Sequence, residues 1–108
     1  MGLEVDLDAF AVAHAGGAVV IDVREPYEYA SRHVPGARLI PLASLPAHTA
    51  GLPGDQPVYI ICATGNRSLT AARFLARRGV DAPSVAGGTS GWMARGLPVV
   101  SRRRGNAA

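Results

Sequence analysis

The chain has 108 residues, a single cysteine and a formal net charge of +3. This length predicts one domain that buries a core without covalent cross-links, and a lone cysteine excludes an internal disulfide. No apolar run approaches the ~20 residues that cross a bilayer, so no membrane span and no membrane partner are expected.

The positive charge is concentrated near the C-terminus. Arg102, Arg103 and Arg104 account for the whole net charge of +3, which leaves the rest of the chain balanced. A nucleic-acid partner is therefore not expected. We predict a domain over residues 1–100 and a basic, disordered tail over residues 101–108. The single cysteine and the acidic N-terminal residues favour a cytoplasmic location.

The first half of the chain alternates apolar runs of strand length with helical patterns. Asp6 is a good N-cap, Gly16 is a stop signal, and Pro26 suits an early helical position. In the second helix, Tyr27 and Ala30 are expected to face the core. Strands are predicted at residues 3–5, 18–21 and 38–40. Helices are predicted at residues 7–14 and from residues 25–26 onward, and a turn follows at residues 33–36. A short helix and a loop are predicted at residues 42–52.

The second half contains the most strand-like segment after residues 18–21, the apolar run at residues 58–61. A helix is predicted from Ser68 to a stop signal at Gly79, because apolar residues recur there at helical spacing. A short strand at residues 84–86 follows, and Thr89 is expected to cap a last helix that ends near Gly96.

Strands that alternate with helices predict an α/β fold with a mostly parallel sheet and helices on both sides. Ligands of such sheets bind beyond the carboxyl ends of the strands. Three segments would meet there: residues 22–24, 62–67 and 87–88. This topology predicts that Cys62 lies in a site.

Cys62 is the candidate nucleophile. It ends the strand at residues 58–61 and begins a short loop that contains Gly65 and leads into a helix. Successive N–H groups of such a loop can surround an anion, and the positive end of the helix dipole also favours a negative sulfur. Arg67 adds a positive charge. The structural alternative is an inert buried cysteine, which is a common fate of free thiols.

Four motifs resemble those of one family. The sequence C-A-T-G-N-R at residues 62–67 resembles the C-x-x-G-x-[RT] active-site loop of rhodanese-like sulfurtransferases. The segment D-V-R-E-P-Y-E-Y at residues 22–29 is similar to the D-V-R-E-x-x-E-[FY] pattern of that family. H-V-P-G-A at residues 33–37 and G-G-T-S-G-W at residues 87–92 are similar to its H-I-P-G-A and G-G-x-x-x-W motifs. The resemblance covers about residues 3–100.

The resemblance implies a three-layer α/β/α fold with a five-stranded sheet. It also implies a sulfurtransferase in which Cys62 takes a sulfane sulfur from thiosulfate or a persulfide and carries it as a persulfide. Cys62 then passes that sulfur to cyanide or to an external thiol, including a protein thiol. The residues that would bind the substrate are those of the loop, namely Ala63, Thr64, Gly65, Asn66 and Arg67. No metal or organic cofactor is implied, and Asp22 and Arg24 would brace the surrounding loops.

One position departs from the pattern, and two alternative functions remain. Many thiosulfate-using members carry a basic residue where this chain has Ala63, so we expect a persulfide to be the better donor. A non-catalytic alternative is a sulfur carrier or a partner-binding module. A phosphatase is a remote alternative, because the related phosphatase loop C-x5-R is one residue longer than the six-residue loop that Arg67 closes here.

Overall fold

The computed structural model describes residues 2–101 and contains five strands and five helices within them. Of the tail predicted at residues 101–108, residues 102–108 lie outside the described residues. The strands are β1 (Glu4–Val5), β2 (Val19–Asp22), β3 (Arg38–Leu39), β4 (Val58–Ile61) and β5 (Ser84–Val85). The helices are α1 (Leu7–Ala15), α2 (Pro26–Ser31), α3 (Leu45–His48), α4 (Asn66–Ala76) and α5 (Gly88–Ala94). Short 3-10 turns at Leu42–Ser44 and Thr49–Gly51 flank α3.

The strands form one parallel sheet in the order β1-β5-β4-β2-β3. The predicted five-stranded α/β fold is therefore confirmed. In the register of the two central strands, Asp22 at the end of β2 lies opposite Ile61 at the end of β4. Because parallel strands end at the same edge, the loop after β4 and the loop after β2 emerge side by side.

Each face of the sheet is covered by its own apolar cluster. Successive strand residues point to opposite faces, so Ile60 and Ile61 belong to different clusters. Cys62 joins the cluster that includes Ala71 and Leu75 of α4. The other cluster contains Phe10, Tyr29 and Trp92 from α1, α2 and α5. No helix within residues 2–101 combines the length and apolar character that crossing a membrane requires.

Two side-chain predictions in α2 and α5 were wrong. Tyr27 is 76% exposed, and Tyr29 is the tyrosine of α2 that packs into the core. Thr89 does not cap α5, because Gly87 occupies the N-cap position and the helix begins one residue later at Gly88. The Thr89 hydroxyl is instead buried without a hydrogen-bond partner among the described residues. Both errors depend on where a short helix begins and docks, which its own few residues do not determine.

The fourth helix also begins earlier than predicted. Its first residue is Asn66, two positions before Ser68, and its N-cap is Gly65 in a left-handed conformation at φ +115°. A glycine N-cap has no side-chain oxygen, so the usual polar signal for a helix start is missing from the sequence. The earlier start places Ser68 inside the first turn of α4.

Gly88 allows the N-terminus of α5 to lie directly against the loop after β4. A Cβ atom at this position would be 2.6 Å from the carbonyl oxygens of both Cys62 and Ala63, and its φ is +57°. The approach lets the N–H groups of Thr89 and Ser90 donate to those two carbonyls at 2.8 and 2.9 Å. The backbone of the loop is thereby fixed from one side.

Gly88→Ala should lower the free energy of unfolding by at least about 2 kcal/mol, since it combines left-handed strain with a steric clash. Urea denaturation monitored by circular dichroism measures this change. Gly36→Ala is the control for strain alone, because Gly36 has φ +84° but no described atom within 4 Å of an added Cβ. We expect about 1 kcal/mol for that control. Equal losses for the two variants would contradict the proposed clash.

Candidate active site

The sulfur of Cys62 lies at the carboxyl edge of the sheet, one residue beyond β4. The residue is 1% exposed, and the Ile61 carbonyl just before it accepts a hydrogen bond from the Val23 N–H at 3.0 Å. This bond joins the loop after β2 to the start of the loop after β4. Cys62 is therefore held at the junction of the two central strands.

Three groups surround the sulfur at hydrogen-bonding distance. The N–H groups of Gly65 and Ser68 donate to Cys62 Sγ at 3.1 and 3.3 Å. The Ser68 hydroxyl oxygen lies 3.3 Å from the same sulfur. Such an arrangement of donors suits a negative sulfur, because a thiolate only accepts hydrogen bonds.

The pKa of Cys62 is lowered in this environment. Burial by itself raises the pKa of the thiol, but hydrogen bonds from the Ser68 hydroxyl and from the N–H groups of Ser68, Gly65 and Thr64 outweigh it. The net direction is downward from the ordinary value of 9.0. A larger fraction of Cys62 is therefore thiolate at neutral pH than of an ordinary cysteine, and thiolate is the nucleophilic form.

Ser68 is a site residue that was not expected from the sequence. It is fully buried in the first turn of α4 and contributes both its N–H and its hydroxyl to the sulfur. A serine six positions after the cysteine, within a helix start, is the signal that could have identified it. The expected helix start at Ser68 itself concealed this role.

The other predicted loop residues occupy different environments. Gly65 provides both an N–H to the sulfur and the left-handed turn into α4. Ala63 is half-buried and its carbonyl is bound by Ser90, whereas the side chains of Thr64 and Asn66 are exposed. The side chains of Thr64 and Asn66 thus form the outer surface of the loop, and its backbone faces the sulfur.

Arg67 forms a bidentate ion pair with Glu28 of α2. Its two terminal nitrogens donate to the two carboxylate oxygens at 2.7 and 2.9 Å. Glu28 also accepts a hydrogen bond from the Glu25 N–H at 2.9 Å, as part of the capping box at the start of α2. Arg67 therefore connects the active-site loop to α2, and Glu28 balances its charge.

A second, buried ion pair braces the loop after β2. The Arg24 guanidinium donates to both oxygens of Asp22, at 2.8 Å for the shortest contact, and to the Arg32 carbonyl at 2.7 Å. Asp22 is fully buried and Arg24 is 6% exposed. This geometry agrees with the bracing role that we expected for the pair.

The histidine rings form hydrogen bonds with backbone carbonyls. His33 Nδ1 lies 2.7 Å from the Tyr29 carbonyl, so this nitrogen donates, and its ring stacks on the Tyr29 ring. His14 and His48 contact the carbonyls of Pro35 and Ser44 in the same manner. Across residues 2–101, no group of three or more His, Cys, Asp and Glu side chains is arranged to hold a metal ion.

Glu28→Gln should lower the stability at pH 7 by about 1 kcal/mol, a modest value because Arg67 is partly exposed. The Arg67 guanidinium lowers the pKa of Glu28 from its ordinary value of 4.5 to about 2. A carboxylate with a depressed folded-state pKa stabilises the protein fully above its unfolded-state pKa. The difference between the variant and the wild type should therefore disappear as the pH falls from 4.5 to about 2.

Urea denaturation at several pH values measures this difference. The control is Glu4→Gln, since Glu4 is exposed on β1 and has no ion pair among the described residues. A pH-independent loss in Glu28→Gln would contradict the ion pair as its cause.

Three comparisons with known proteins indicate the family of this chain. The family model for the rhodanese-like domain matches residues 8–95. A protein named sulfurtransferase from Allochromatium vinosum is 30% identical over 101 residues, which cover 91% of this chain and 94% of that protein.

Two solved structures have the same fold. A rhodanese-related protein from Thermoplasma volcanium superimposes with a TM-score of 0.85 at 31% identity, covering 92% of this chain and 98% of that one. A rhodanese-like domain protein from Staphylococcus aureus gives a TM-score of 0.81 at 29% identity, covering 93% and 100%. The motifs, the sheet order and these matches agree, and the chain belongs to the rhodanese-like domain family.

Proposed function

We propose that this chain is a sulfurtransferase whose nucleophile is Cys62. The observation that supports this proposal is the hydrogen bonding of the Cys62 sulfur by the loop after β4, which lowers the pKa of the thiol despite its burial. The relative from Allochromatium vinosum that is named a sulfurtransferase agrees with this activity.

The first half-reaction would load Cys62 with sulfur. The thiolate attacks the outer sulfur of thiosulfate or of a persulfide, and a new S–S bond forms at Cys62 Sγ. The S–S bond of the donor breaks, and sulfite or a thiolate leaves with the electron pair. The N–H groups of Gly65 and Ser68 stabilise the attacking anion.

The second half-reaction would transfer this sulfur from Cys62 to an acceptor. A cyanide ion or an acceptor thiolate attacks the outer sulfur of the Cys62 persulfide and forms a C–S or an S–S bond. The bond between the two sulfurs of the persulfide breaks, and Cys62 leaves as a thiolate. A low thiol pKa assists this step, because a more stable thiolate is a better leaving group.

The acceptor in this scheme belongs to another molecule. Cys62 is the single cysteine of the sequence, so no second thiol of the sequence is available to resolve the persulfide. The same fact supports the alternative of a sulfur carrier that holds one sulfur for a protein partner. Turnover separates the two functions: many cycles with small thiols indicate an enzyme, and one retained sulfur per chain indicates a carrier.

Intact mass spectrometry tests the nucleophile. After exposure to thiosulfate or to glutathione persulfide, the wild type should gain the mass of one sulfur atom, which a reducing agent then removes. Cys62→Ser should gain none, because its hydroxyl is not ionised at neutral pH. A sulfur adduct of the same yield on Cys62→Ser would contradict the assignment.

Ala63→Arg should increase kcat/KM for thiosulfate about fivefold, which corresponds to about 1 kcal/mol of added attraction for the dianionic donor. The reason is that Glu28 already balances the Arg67 charge, so the wild-type loop offers a dianion little net positive charge. Steady-state kinetics with thiosulfate and cyanide measure the change.

Ala63→Gln is the matched control, since glutamine has an extended polar side chain without the charge. We expect it to leave kcat/KM for thiosulfate near the wild-type value. Comparable values for the wild type and Ala63→Arg would mean that charge at this position does not limit the use of thiosulfate.

A further inference from the structure

Ser84 is a buried polar residue that the scheme above does not use. It is the first residue of β5, pairs with Ile60 of β4 in the sheet, and is fully buried. Its hydroxyl oxygen lies 2.7 Å from the hydroxyl oxygen of Ser68. Cys62, Ser68 and Ser84 therefore form a continuous cluster of three side chains, which we call the hydroxyl cluster.

The thiolate form of Cys62 uses every proton of the hydroxyl cluster. A serine hydroxyl donates one hydrogen bond and accepts up to two, whereas a thiolate only accepts. With Cys62 ionised, the Ser68 O–H donates to the sulfur, and the Ser84 O–H donates to the Ser68 oxygen. The two contacts of the cluster thus accommodate its two protons.

The protonated form of Cys62 leaves one proton of the cluster without a partner. The thiol adds a third proton, but the cluster still has only two contacts. Whichever way the hydroxyls rotate, one donor faces no acceptor within the cluster. An unsatisfied donor at a buried position is costly, so the cluster disfavours the thiol relative to the thiolate.

We propose that Ser84 is a positioning residue that directs the Ser68 hydroxyl as a donor toward the Cys62 sulfur and thereby favours its thiolate form. Ser84 acts through Ser68, since the Ser68 hydroxyl is the one hydrogen-bond partner of the Ser84 hydroxyl among the described residues. The chemical reason is the order of the hydrogen bonds, since a hydroxyl that accepts a bond is a stronger donor to its next partner.

The charged groups around the site do not account for this effect. Arg67 of α4 interacts electrostatically with Cys62, but Glu28 of α2 forms a bidentate pair with it. On β2, Asp22 and Arg24 neutralise one another at 2.8 Å. Uncharged donors are therefore the main stabilising groups, and the Ser68 hydroxyl is the largest of the causes that lower the pKa of Cys62.

The test measures the pKa of Cys62 from the pH dependence of its alkylation by iodoacetamide in the whole chain. Ser84→Ala should raise this pKa by about half a unit, and alkylation at pH values below the pKa should be about threefold slower. Ser68→Ala should raise it by about one unit, since it removes the direct donor. An unchanged pKa in Ser84→Ala would overturn the proposal.

A double-mutant cycle tests whether Ser84 acts through Ser68. In the Ser68→Ala background, the further change Ser84→Ala should leave the pKa of Cys62 where it is, because the connecting hydroxyl is gone. An additional shift equal to that in the wild-type background would overturn the proposal. Thr49→Val is the control for deleting a hydroxyl, since Thr49 is half-buried and its hydroxyl donates to the Leu45 carbonyl at 3.0 Å, outside the cluster. We expect no shift from it.

A second pair of variants isolates the Ser84 hydroxyl should Ser84→Ala not fold. The variants are Ser84→Thr and Ser84→Val. Threonine and valine side chains have the same shape and suit a strand, but only threonine retains the hydroxyl. The pKa of Cys62 should be about half a unit lower in Ser84→Thr than in Ser84→Val, and equal values would overturn the proposal.

The proposal rests on Cys62 acting as a thiolate. Alkylation requires no sulfur transfer. A negative result for Ser84 is therefore distinguishable from a failure of the proposed sulfurtransferase activity, which the mass spectrometry of sulfur loading measures.

Discussion

The active-site loop depends on the docking of α5 against the backbone of Cys62 and Ala63. The N–H groups of Thr89 and Ser90 bind the two loop carbonyls, and this contact is possible only because Gly88 lacks a Cβ. With the carbonyls bound by α5, the N–H groups of Gly65 and Ser68 are directed toward the sulfur. The packing of one short helix thus sets the chemistry of a side chain more than twenty residues earlier in the sequence.

The electrostatics of the site rest on dipoles more than on net charge. Arg24, in the loop after β2, and Arg67, in the first turn of α4, each form an ion pair with a carboxylate, so neither presents an unbalanced charge. Backbone N–H groups and a buried hydroxyl stabilise the thiolate instead, and they are effective because burial removes competing water. Such a site favours a negative sulfur without strongly attracting a dianion, which agrees with the neutral residue at position 63.

Most of the fold and the position of Cys62 could be predicted from the sequence. The apolar runs at β2 and β4 and the Asp6 cap of α1 are local signals, and the structure confirms each of them. Tyr27 and Thr89 were misplaced because the inward face of a short helix is decided by the surface on which it docks. Ser68 was missed because the start of α4 was expected at Ser68 itself. Ser84 was missed because nothing in a lone serine indicates which buried atom it will meet.

The family of this protein follows from its sequence. The order of its motifs, its alternating elements and its single cysteine specify a rhodanese-like domain with one thiol at a strand end. How that thiol is held depends on tertiary packing, which brings Arg67 to Glu28 of another helix and Ser84 of β5 to within 2.7 Å of Ser68. The physical reason is that motifs reflect local backbone geometry, whereas hydrogen-bond partners distant in sequence are selected only when the strands and helices pack together.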